Sequence, residues 1–429
     1  MTHVLLRLTA VTLAIGPWMD ALAESRKWTD VDGRTVSAEF AGIDGEQVLL
    51  RMDDGRELPF PMEKLSAADQ DLVKRLQTDG GTAVRPGPPR VPISQRVWPD
   101  VVEVDSRAVE IEAVEESEPL RNFVYESQAF QFTSQAKLAG SVMKEVARTF
   151  ESTRELVSKL PWGVVCIPPD GQERYLAALY ETREDYFRAG GPENSGGVYM
   201  SGEKIFKIPF PSLGLERRGR TFFMDDGYSN DTLVHELTHQ MMHDYLPFLP
   251  KWVIEGAAEY TELLPYNAGT FRAGAHKTEM KRHIDECVAR GLPVDVGSVE
   301  SHLTMTRDGW TEASAQRAGQ AMVYFRSVLM VYFFSHLDGD GQGTRFLKFM
   351  DAVRDEAESL IRFFADPRVK QFPDGRFSYP EDMEVPDLNP DSAPFKHLDL
   401  LLDGRSYEQL ASDVVAGFKS IGEKVEVQP

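Results

Sequence analysis

Two histidines and a glutamate form the most informative motif in the sequence. His235 and His239 lie four residues apart in the run His-Glu-Leu-Thr-His, and Glu236 follows the first histidine directly. On a helix, residues four apart lie on one face, so both imidazoles can reach the same metal ion. Glu236 would project toward the open side of that ion, where a carboxylate can act as a general base. The motif therefore predicts a Zn²⁺ site on a helix.

A second segment, over 251–260, offers a third ligand. It reads Lys-Trp-Val-Ile-Glu-Gly-Ala-Ala-Glu-Tyr, in which the first glutamate is Glu255. Pro247 and Pro250 are expected to end the first helix and to begin the second, because proline interrupts a helix but suits its first turn. The short reversal between the helices would turn Glu255 toward the histidine pair.

Two further features of this segment support a packed site. Residues 256–258 are Gly-Ala-Ala, and their small size would allow the two helices to approach closely. Glu259 lies one helical turn beyond Glu255 and could accept a hydrogen bond from the free N–H of a liganding histidine. Such a contact holds the imidazole in the orientation that metal binding needs.

Together, His-Glu-x-x-His and Trp-x-x-Glu-Gly-x-Ala-Glu-Tyr resemble the gluzincin zinc metallopeptidases, in particular a bacterial branch with a short connection between the motifs. The resemblance implies that His235, His239 and Glu255 bind Zn²⁺ and that Glu236 is the general base. It also implies a thermolysin-like fold and a peptide or protein substrate. Two alternatives remain: a catalytically silent metal-binding surface protein, and a zinc hydrolase that acts on a bond other than a peptide.

His243 raises the question of a site with three histidines. Eight helical residues separate His235 from His243, a rise of about 12 Å, which is too far for one ion. The metzincin pattern also needs Gly and His where this sequence has Met242 and Tyr245. We therefore predict that His243 is a surface residue or a polar residue behind the ligands.

A later helix, predicted over 317–337, resembles the gluzincin segment that supplies a tyrosine to the oxyanion. The resemblance implies that Tyr324 is this catalytic residue. Tyr332 lies two helical turns further on and is the alternative. A core position also fits either tyrosine, because the helix is strongly apolar.

Three weaker motifs complete the candidates. The run 190–194 is similar to the Gly-x-Met-Glu-Asn signature of clan aminopeptidases, but a polar loop is the simpler reading. Residues 197–208 predict a hairpin that could offer an edge strand to an extended peptide. The run 338–343 opens like a calcium loop, yet Phe349 occupies the position that requires a bidentate Glu. We predict a turn between helices there.

The N-terminal part, residues 24–77, reads as a small β-domain. Asp-Gly pairs at 32–33, 44–45 and 54–55 indicate hairpins, and a short helix is predicted over 66–76. Trp-Thr-Asp at 28–30 and Pro-Met-Glu-Lys-Leu-Ser at 61–66 resemble the first Sla homology domain, an SH3-like module. The resemblance implies a peptide or cell-surface partner, and a passive spacer is the alternative.

Targeting and linker segments flank this module. Residues 1–23 have an apolar stretch followed by Ala-Leu-Ala, which predicts a signal peptide and a secreted or periplasmic protein. Residues 78–97 are rich in Gly and Pro and predict an extended linker. Residues 98–429 would then form the metallopeptidase domain.

Composition excludes some partners. The formal net charge is -21 with 47 basic and 68 acidic residues, so binding to nucleic acid is not expected. No later segment has the length and apolarity of a membrane span. The two cysteines, Cys166 and Cys287, could form one disulfide or remain buried thiols.

The expected fold class is α+β: a small SH3-like β-barrel, a Pro/Gly linker, and a thermolysin-like domain with a mainly helical C-terminal lobe. In that domain we predict strand-like segments over 98–111, a helix over 134–160 and a buried strand over 163–167. A last amphipathic helix is predicted over 406–421.

Overall fold

The computed structural model describes residues 26–428 apart from 32–33, 45–46, 53–55, 67–68, 71–72, 74–88, 194, 220, 226, 367 and 372–376. The predicted signal peptide and the first half of the predicted linker lie outside the described residues. The chain divides into two compact units. One comprises Met1–Gly87, Asp170–Gln172 and Glu358–Pro386, and the other comprises Pro88–Pro169, Glu173–Ala357 and Asp387–Pro429.

The first unit contains a four-stranded antiparallel sheet in sequential order, with strands β1 (Arg26–Thr29), β2 (Thr35–Asp44), β3 (Gln47–Arg51) and β4 (Glu57–Pro61). Its core includes Trp28, Val48 and Leu50, and the Trp28 indole N–H donates to the Ala38 carbonyl at 2.9 Å. These strands are consistent with the predicted SH3-like module. The predicted helix over 66–76 is described only in part; Asp69 N–H donates to Ser66 Oγ at its start.

The strands of the second unit form one six-stranded mixed sheet and several small sheets. They are β5 (Val102–Glu103), β6 (Glu112–Ser117), β7 (Asn122–Glu126), β8 (Phe130–Ser134), β9 (Tyr175–Tyr180), β10 (Val198–Met200), β11 (Ile205–Pro209), β12 (Leu215–Arg218), β13 (Thr221–Met224), β14 (Tyr266–Asn267), β15 (Thr270–Phe271) and β16 (Asp295–Ser298). The main sheet has the order β10-β11-β9-β8-β7-β6. Strand β9 pairs in parallel with β8 and β11, and the other pairs are antiparallel.

Three short strands follow in sequence: β17 (Lys370–Gln371) and β18 (Phe377–Ser378) pair in the first unit, and β19 (Glu426–Gln428) pairs with β16 in the second. The helices are α1 (Gly140–Lys159), α2 (Arg183–Arg188), α3 (Asp231–Met241), α4 (Lys251–Glu262), α5 (His276–Ala289), α6 (Val299–Leu303), α7 (Arg307–Ala313), α8 (Arg317–His336), α9 (Thr344–Ala365), α10 (Leu398–Leu402) and α11 (Tyr407–Ser420). The chain is therefore a mixed α+β protein, as predicted.

Helix α8 is the central helix of the second unit, and most of its second half is buried. Helix α4 crosses it at Gly256, where an added Cβ would lie 2.5 Å from the Ser327 carbonyl oxygen. Only glycine allows so close an approach of two helices. The small residues 256–258 were predicted to let α4 approach α3. Gly256, however, allows α4 to approach α8.

Several predicted elements differ from the structure. Over 98–111 the only strand is β5, and the helix predicted from residue 134 begins at Gly140, because Phe130–Ser134 is strand β8. The segment 163–167 is not a strand. Its Val165 N–H donates to the Tyr245 hydroxyl at 2.9 Å, so a side chain replaces the partner that a sheet would supply. The prediction of a buried strand there was wrong.

The described end of the predicted linker is anchored rather than extended. Arg96 donates to both carboxylate oxygens of Asp351 at 2.7 and 2.8 Å and to the Pro161 carbonyl at 3.2 Å. A bidentate pair of this kind fixes the chain geometrically. Composition did not reveal it, because the partner lies far away in sequence.

Cys166 and Cys287 are both free and buried. Burial raises the pKa of Cys166 to about 12 and that of Cys287 to about 11, so both remain thiols at neutral pH. The sequence allowed either one disulfide or two buried thiols, and the structure contains two buried thiols. Among the helices of the described residues, none has the length and apolarity that a bilayer span requires.

Candidate metal centre

Helix α3 presents the two motif histidines on one face. Leu233, Leu237 and Met241 pack the opposite, buried face, which fixes the rotation of the helix. The rings of His235 and His239 lie 4.9 Å apart, centroid to centroid, and are nearly perpendicular at 86°. Helix α3 follows Asn230, whose side chain makes no capping hydrogen bond.

A short connection brings α4 back against α3. Helix α3 ends at Met241, before Pro247, and a 3-10 helix over His243–Phe248 contains that proline. Pro250 is the N-cap of α4, as predicted. The hydroxyl oxygens of Thr238 and Thr261 lie 2.6 Å apart and join the two helices by a buried hydrogen bond.

The returning helix points Glu255 at both imidazoles. Its Oε2 atom lies 3.5 Å from His235 Nε2 and 3.3 Å from His239 Nε2. His235 and Glu255 are only 8% and 6% exposed. Within the described residues, Oε2 of Glu255 is buried and has no hydrogen-bond partner. We call His235, His239 and Glu255 the metal centre.

This donor set fits a zinc ion. Two ligands bound to tetrahedral Zn²⁺ at about 2.0–2.1 Å lie about 3.3 Å apart, close to the two distances from Glu255 to the histidines. An unpartnered buried carboxylate oxygen is costly unless something binds it. Two imidazole nitrogens and one carboxylate are also the ligand types that zinc accepts. The three residues can therefore hold the metal that the sequence predicts.

Charges around Glu255 are arranged to keep it ionised. Burial alone would raise the pKa of this carboxyl, but the nearby imidazoles of His239 and His235, with the charge of Lys251, lower it well below its usual range. Lys251, one turn earlier on α4, places its Nζ 3.6 Å from the other oxygen, Oε1. Glu255 thus has one oxygen near a lysine and one directed at the histidines.

The carboxylate that contacts the outer nitrogen of His235 is Glu262, not the predicted Glu259. His235 Nδ1 lies 3.0 Å from Glu262 Oε2 in a hydrogen bond, and 3.7 Å from Glu259 Oε1. Glu255, Glu259 and Glu262 share one face of α4, at intervals of four and three residues. The spacing could therefore have suggested Glu262, but only the crossing of α3 and α4 decides which carboxylate reaches the ring.

Glu236 projects toward the edge of the main sheet. The backbone N–H of Tyr199, in strand β10, donates to Glu236 Oε2 at 3.0 Å. Burial raises the pKa of Glu236, and the charges of His239 and His235 lower it in part. Strand β10 lies at the end of the sheet order, and the hairpin predicted over 197–208 is the pair β10–β11.

Helix α8 brings Tyr324 to the metal centre and directs Tyr332 elsewhere. The Tyr324 ring lies 6.1 Å from the His235 ring and nearly parallel to it, at 14°, and it packs against Trp310. Burial, then the negative charges of Glu255 and Glu236, raise the pKa of Tyr324. Tyr332 is buried beside His276 and His336.

His243 is buried, so of its two predicted roles, a surface residue or a polar residue behind the ligands, the surface position was wrong. Its Nδ1 lies 2.8 Å from the Tyr199 hydroxyl, with which it shares a hydrogen bond. Burial, with the charge of Lys204, lowers the pKa of His243 to about 3, so the ring is neutral at physiological pH. It supports the strand that contacts Glu236 and is not one of the grouped metal ligands.

The weaker motifs serve structure in the described residues. Gly191 packs against the Tyr186 ring, and Glu193 is exposed; Asn194 lies outside the described residues. In the turn after α8, Asp338 binds Arg345 and Arg405 at 2.9 and 2.8 Å. That carboxylate is thus occupied by two arginines, and the segment is a turn, as predicted.

Comparison with known proteins identifies one part of the chain. A family model described as SLA1 homology domain 1 matches residues 19–80. The prediction of an N-terminal Sla homology domain is thereby confirmed. No curated protein matches the chain.

Proposed function

We propose that this protein is a zinc-dependent peptidase of the gluzincin type, with Glu236 as its general base. The observation that carries the proposal is the buried, unpartnered Oε2 of Glu255, directed at His235 Nε2 and His239 Nε2 from 3.5 and 3.3 Å. A thermolysin-like fold is part of the same proposal. It is supported by the order of a strand-rich half followed by a helical half in the second unit.

His235, His239 and Glu255 would hold the metal. When bound, zinc would supply a Lewis acid that lowers the pKa of a water molecule and polarises a substrate carbonyl. Glu262 would keep the His235 ring oriented through its hydrogen bond to Nδ1. Lys251 would orient Glu255 by attracting the oxygen that does not face the histidines.

Glu236 would take and return the proton of the reaction. It is adjacent in sequence to His235 but projects from a different side of α3, toward β10. The Tyr199 N–H contact at 3.0 Å holds one carboxylate oxygen and leaves the other to accept a proton. The raised pKa that burial produces brings this base closer to neutral pH, where general bases work best.

Tyr324 would donate a hydrogen bond to the oxyanion. Its pKa is raised by burial and by the negative charges of Glu255 and Glu236, so its hydroxyl keeps its proton at neutral pH. A preorganised donor of this kind stabilises charge that develops in the transition state. Packing against Trp310 restricts the ring to the side of His235.

The edge strand β10 is suited to a peptide substrate. One side of β10 pairs with β11, and the Tyr199 N–H on its other side points at Glu236. An extended peptide can add to a free sheet edge through main-chain hydrogen bonds. Such a peptide would pass directly beside the general base, which favours a peptide bond as the substrate.

The decisive experiment is the substitution Glu236→Gln in the full chain. We expect zinc content to stay at about one ion per chain while cleavage of unfolded casein falls by about 10²–10⁴-fold. Glu184→Gln, an exposed position on α2, is the matched control and should keep full activity. A Glu236→Gln variant that cleaves casein at the normal rate would end this mechanism.

The same assay separates the alternatives. Zinc binding without cleavage by the unmodified protein would favour a metal-binding surface protein or a hydrolase acting on another bond. An ester substrate of matched sequence then distinguishes these two. Hydrolysis of the ester without hydrolysis of casein would identify the hydrolase.

The N-terminal segments extend the proposal to localisation and to a partner. Export is supported by the apolar residues 8–18 and the Ala-Leu-Ala at 21–23. The Sla homology domain would then bind a peptide or a cell-surface partner outside the cytoplasm. N-terminal sequencing of the mature protein tests export, and a start at Met1 would contradict it.

A further inference from the structure

A cleft of about 470 Å³ opens in the second unit, beside the C-terminal end of helix α8. Its walls come from the segment before β5, the first turn of α5, the end of α8, the following turn and the end of α11. Its lining includes Trp98, His276, Lys277, Tyr332 and His336. We call this feature the histidine cleft. It contains none of the residues of the metal centre.

Three rings pack against one another in the wall of the histidine cleft. His336 and His276 stack, with ring centroids 3.8 Å apart and planes at only 14°, and Trp98 packs against His336 at 4.3 Å with its ring tilted by 50°. The Trp98 indole N–H donates to the Gln342 carbonyl, which holds the first ring in place. Tyr332 completes the wall, 5.0 Å from His336. A flat ring can extend such a stack.

The stacked imidazoles are neutral and incompletely bonded. Burial lowers the pKa of both His276 and His336, which favours the neutral form of each ring at neutral pH. His336 Nε2 is 2.8 Å from the Tyr260 hydroxyl. Among the described residues, His276 Nδ1 is buried and has no hydrogen-bond partner. A buried polar nitrogen without a partner is a position that a ligand group can satisfy.

The charge of the lining is unusual for this chain. The protein carries 68 acidic and 47 basic residues, yet no carboxylate is among the described residues that line the histidine cleft. Lys277 is the one charged side chain among the lining residues. In a chain of net charge -21, a wall with a lysine and no acid favours an anion.

We propose that the histidine cleft is a binding site for a small planar aromatic anion. The ligand ring stacks on the exposed face of the three-ring wall, and its carboxylate or similar group lies near Lys277. The volume falls within the range of sites for small molecules, which is about 300–1,000 Å³. The site stands apart from the proposed peptidase activity and does not depend on it.

The test uses calorimetric titration of the full-length, metal-containing protein with three probes. They are 2-naphthoate, which has both ring and charge, cyclohexanecarboxylate, which lacks the flat ring, and 2-naphthamide, which lacks the charge. We expect 2-naphthoate to bind about tenfold more tightly than cyclohexanecarboxylate, at the upper end of what stacking contributes. A carboxylate that simply coordinated a zinc ion would not make this distinction.

Variants locate the binding. Lys277→Gln should weaken 2-naphthoate binding about threefold to fivefold, the effect of an exposed ion pair, and Lys348→Gln, an exposed lysine on α9, should leave it unchanged. His276→Ala should weaken it about tenfold, and His276→Phe, which keeps a ring, should restore part of the loss. Equal binding of both carboxylates, an affinity unaffected by the Lys277 and His276 variants, or no binding at millimolar concentration would each overturn the proposal.

Discussion

The molecule has two pairs of neighbouring histidines in quite different surroundings. In the metal centre, His235 and His239 are nearly perpendicular and both face Glu255 Oε2. In the histidine cleft, His276 and His336 are nearly parallel, 3.8 Å apart, and the described lining residues include no carboxylate. The same side chain thus becomes a candidate metal ligand where a carboxylate meets it, and a stacking surface where aromatic rings surround it.

Helix α8 links the two regions. Tyr324 lies toward its first half and packs beside His235, whereas Tyr332 lies two turns later, in the wall of the histidine cleft. Helix α4 also links them, because Glu255 faces the metal centre and the Tyr260 hydroxyl shares a hydrogen bond with His336. Paired substitutions on these shared helices can therefore separate the roles of the two regions.

The largest expected difference concerns the metal. Glu255→Gln replaces the charged oxygen between the histidines with a poorer ligand, so we expect zinc content to fall from about one ion per chain to near zero. His276→Ala, in the other histidine pair, should leave zinc content unchanged. Elemental analysis of the purified variants measures both. Loss of zinc from the His276 variant would show that this histidine also contributes to metal binding.

The next largest effect separates the tyrosines of α8. Tyr324→Phe removes the proposed oxyanion donor, and kcat/KM for peptide cleavage should fall by about 10²–10³-fold. Tyr332→Phe removes a hydroxyl in the histidine cleft and should change this rate less than about twofold. Steady-state kinetics on one peptide compares the two, and similar rates for both variants would exclude Tyr324 from the reaction.

A smaller effect should distinguish the two carboxylates behind His235. Glu262→Gln weakens the acceptor that lies 3.0 Å from His235 Nδ1, so zinc affinity should drop by about 10–100-fold. Glu259 Oε1 lies farther from His235 Nδ1, at 3.7 Å, so Glu259→Gln should reduce zinc affinity less. Competition with a chromophoric zinc chelator measures both affinities. A larger loss in the Glu259 variant would reverse the assignment and favour the residue that the sequence predicted.

The smallest expected effect is on stability, where α4 crosses α8 between the two regions. Gly256→Ala forces a Cβ to within 2.5 Å of the Ser327 carbonyl oxygen, and the free energy of unfolding should fall by about 1–3 kcal/mol. Gly140→Ala, at the start of α1, meets no atom within 4 Å and serves as the control. Urea denaturation compares them. Equal stability of both variants would mean that α4 and α8 can move apart without lowering the free energy of unfolding.

Local sequence patterns were sufficient for part of the fold and the candidate site. Helix α8 follows from a long apolar run and the hairpin β10–β11 from two short ones, and both signals depend only on neighbouring positions. His235 and His239 share a face for the same local reason. The position of Glu255 opposite them followed from a short connection whose prolines restrict the chain.

Predictions failed where a distant partner decided the outcome. Segment 163–167 is apolar enough for a strand, yet the Tyr245 hydroxyl takes the hydrogen bond that a sheet would need. Residues 89–97 have the composition of a linker, but Asp351 binds Arg96. His243 is polar and still buried, because Tyr199 satisfies its Nδ1. None of these partners is close in sequence.

By itself, the sequence determined the candidate ligands and the proposed general base, because helical spacing and a short proline-bounded connection are local properties. It also determined the N-terminal Sla homology domain. Only the tertiary structure decided that Glu262 reaches His235, that Tyr324 rather than Tyr332 lies beside it, and that His276 stacks on His336. These contacts depend on how helices cross, and the crossing is set by packing between segments far apart in the chain.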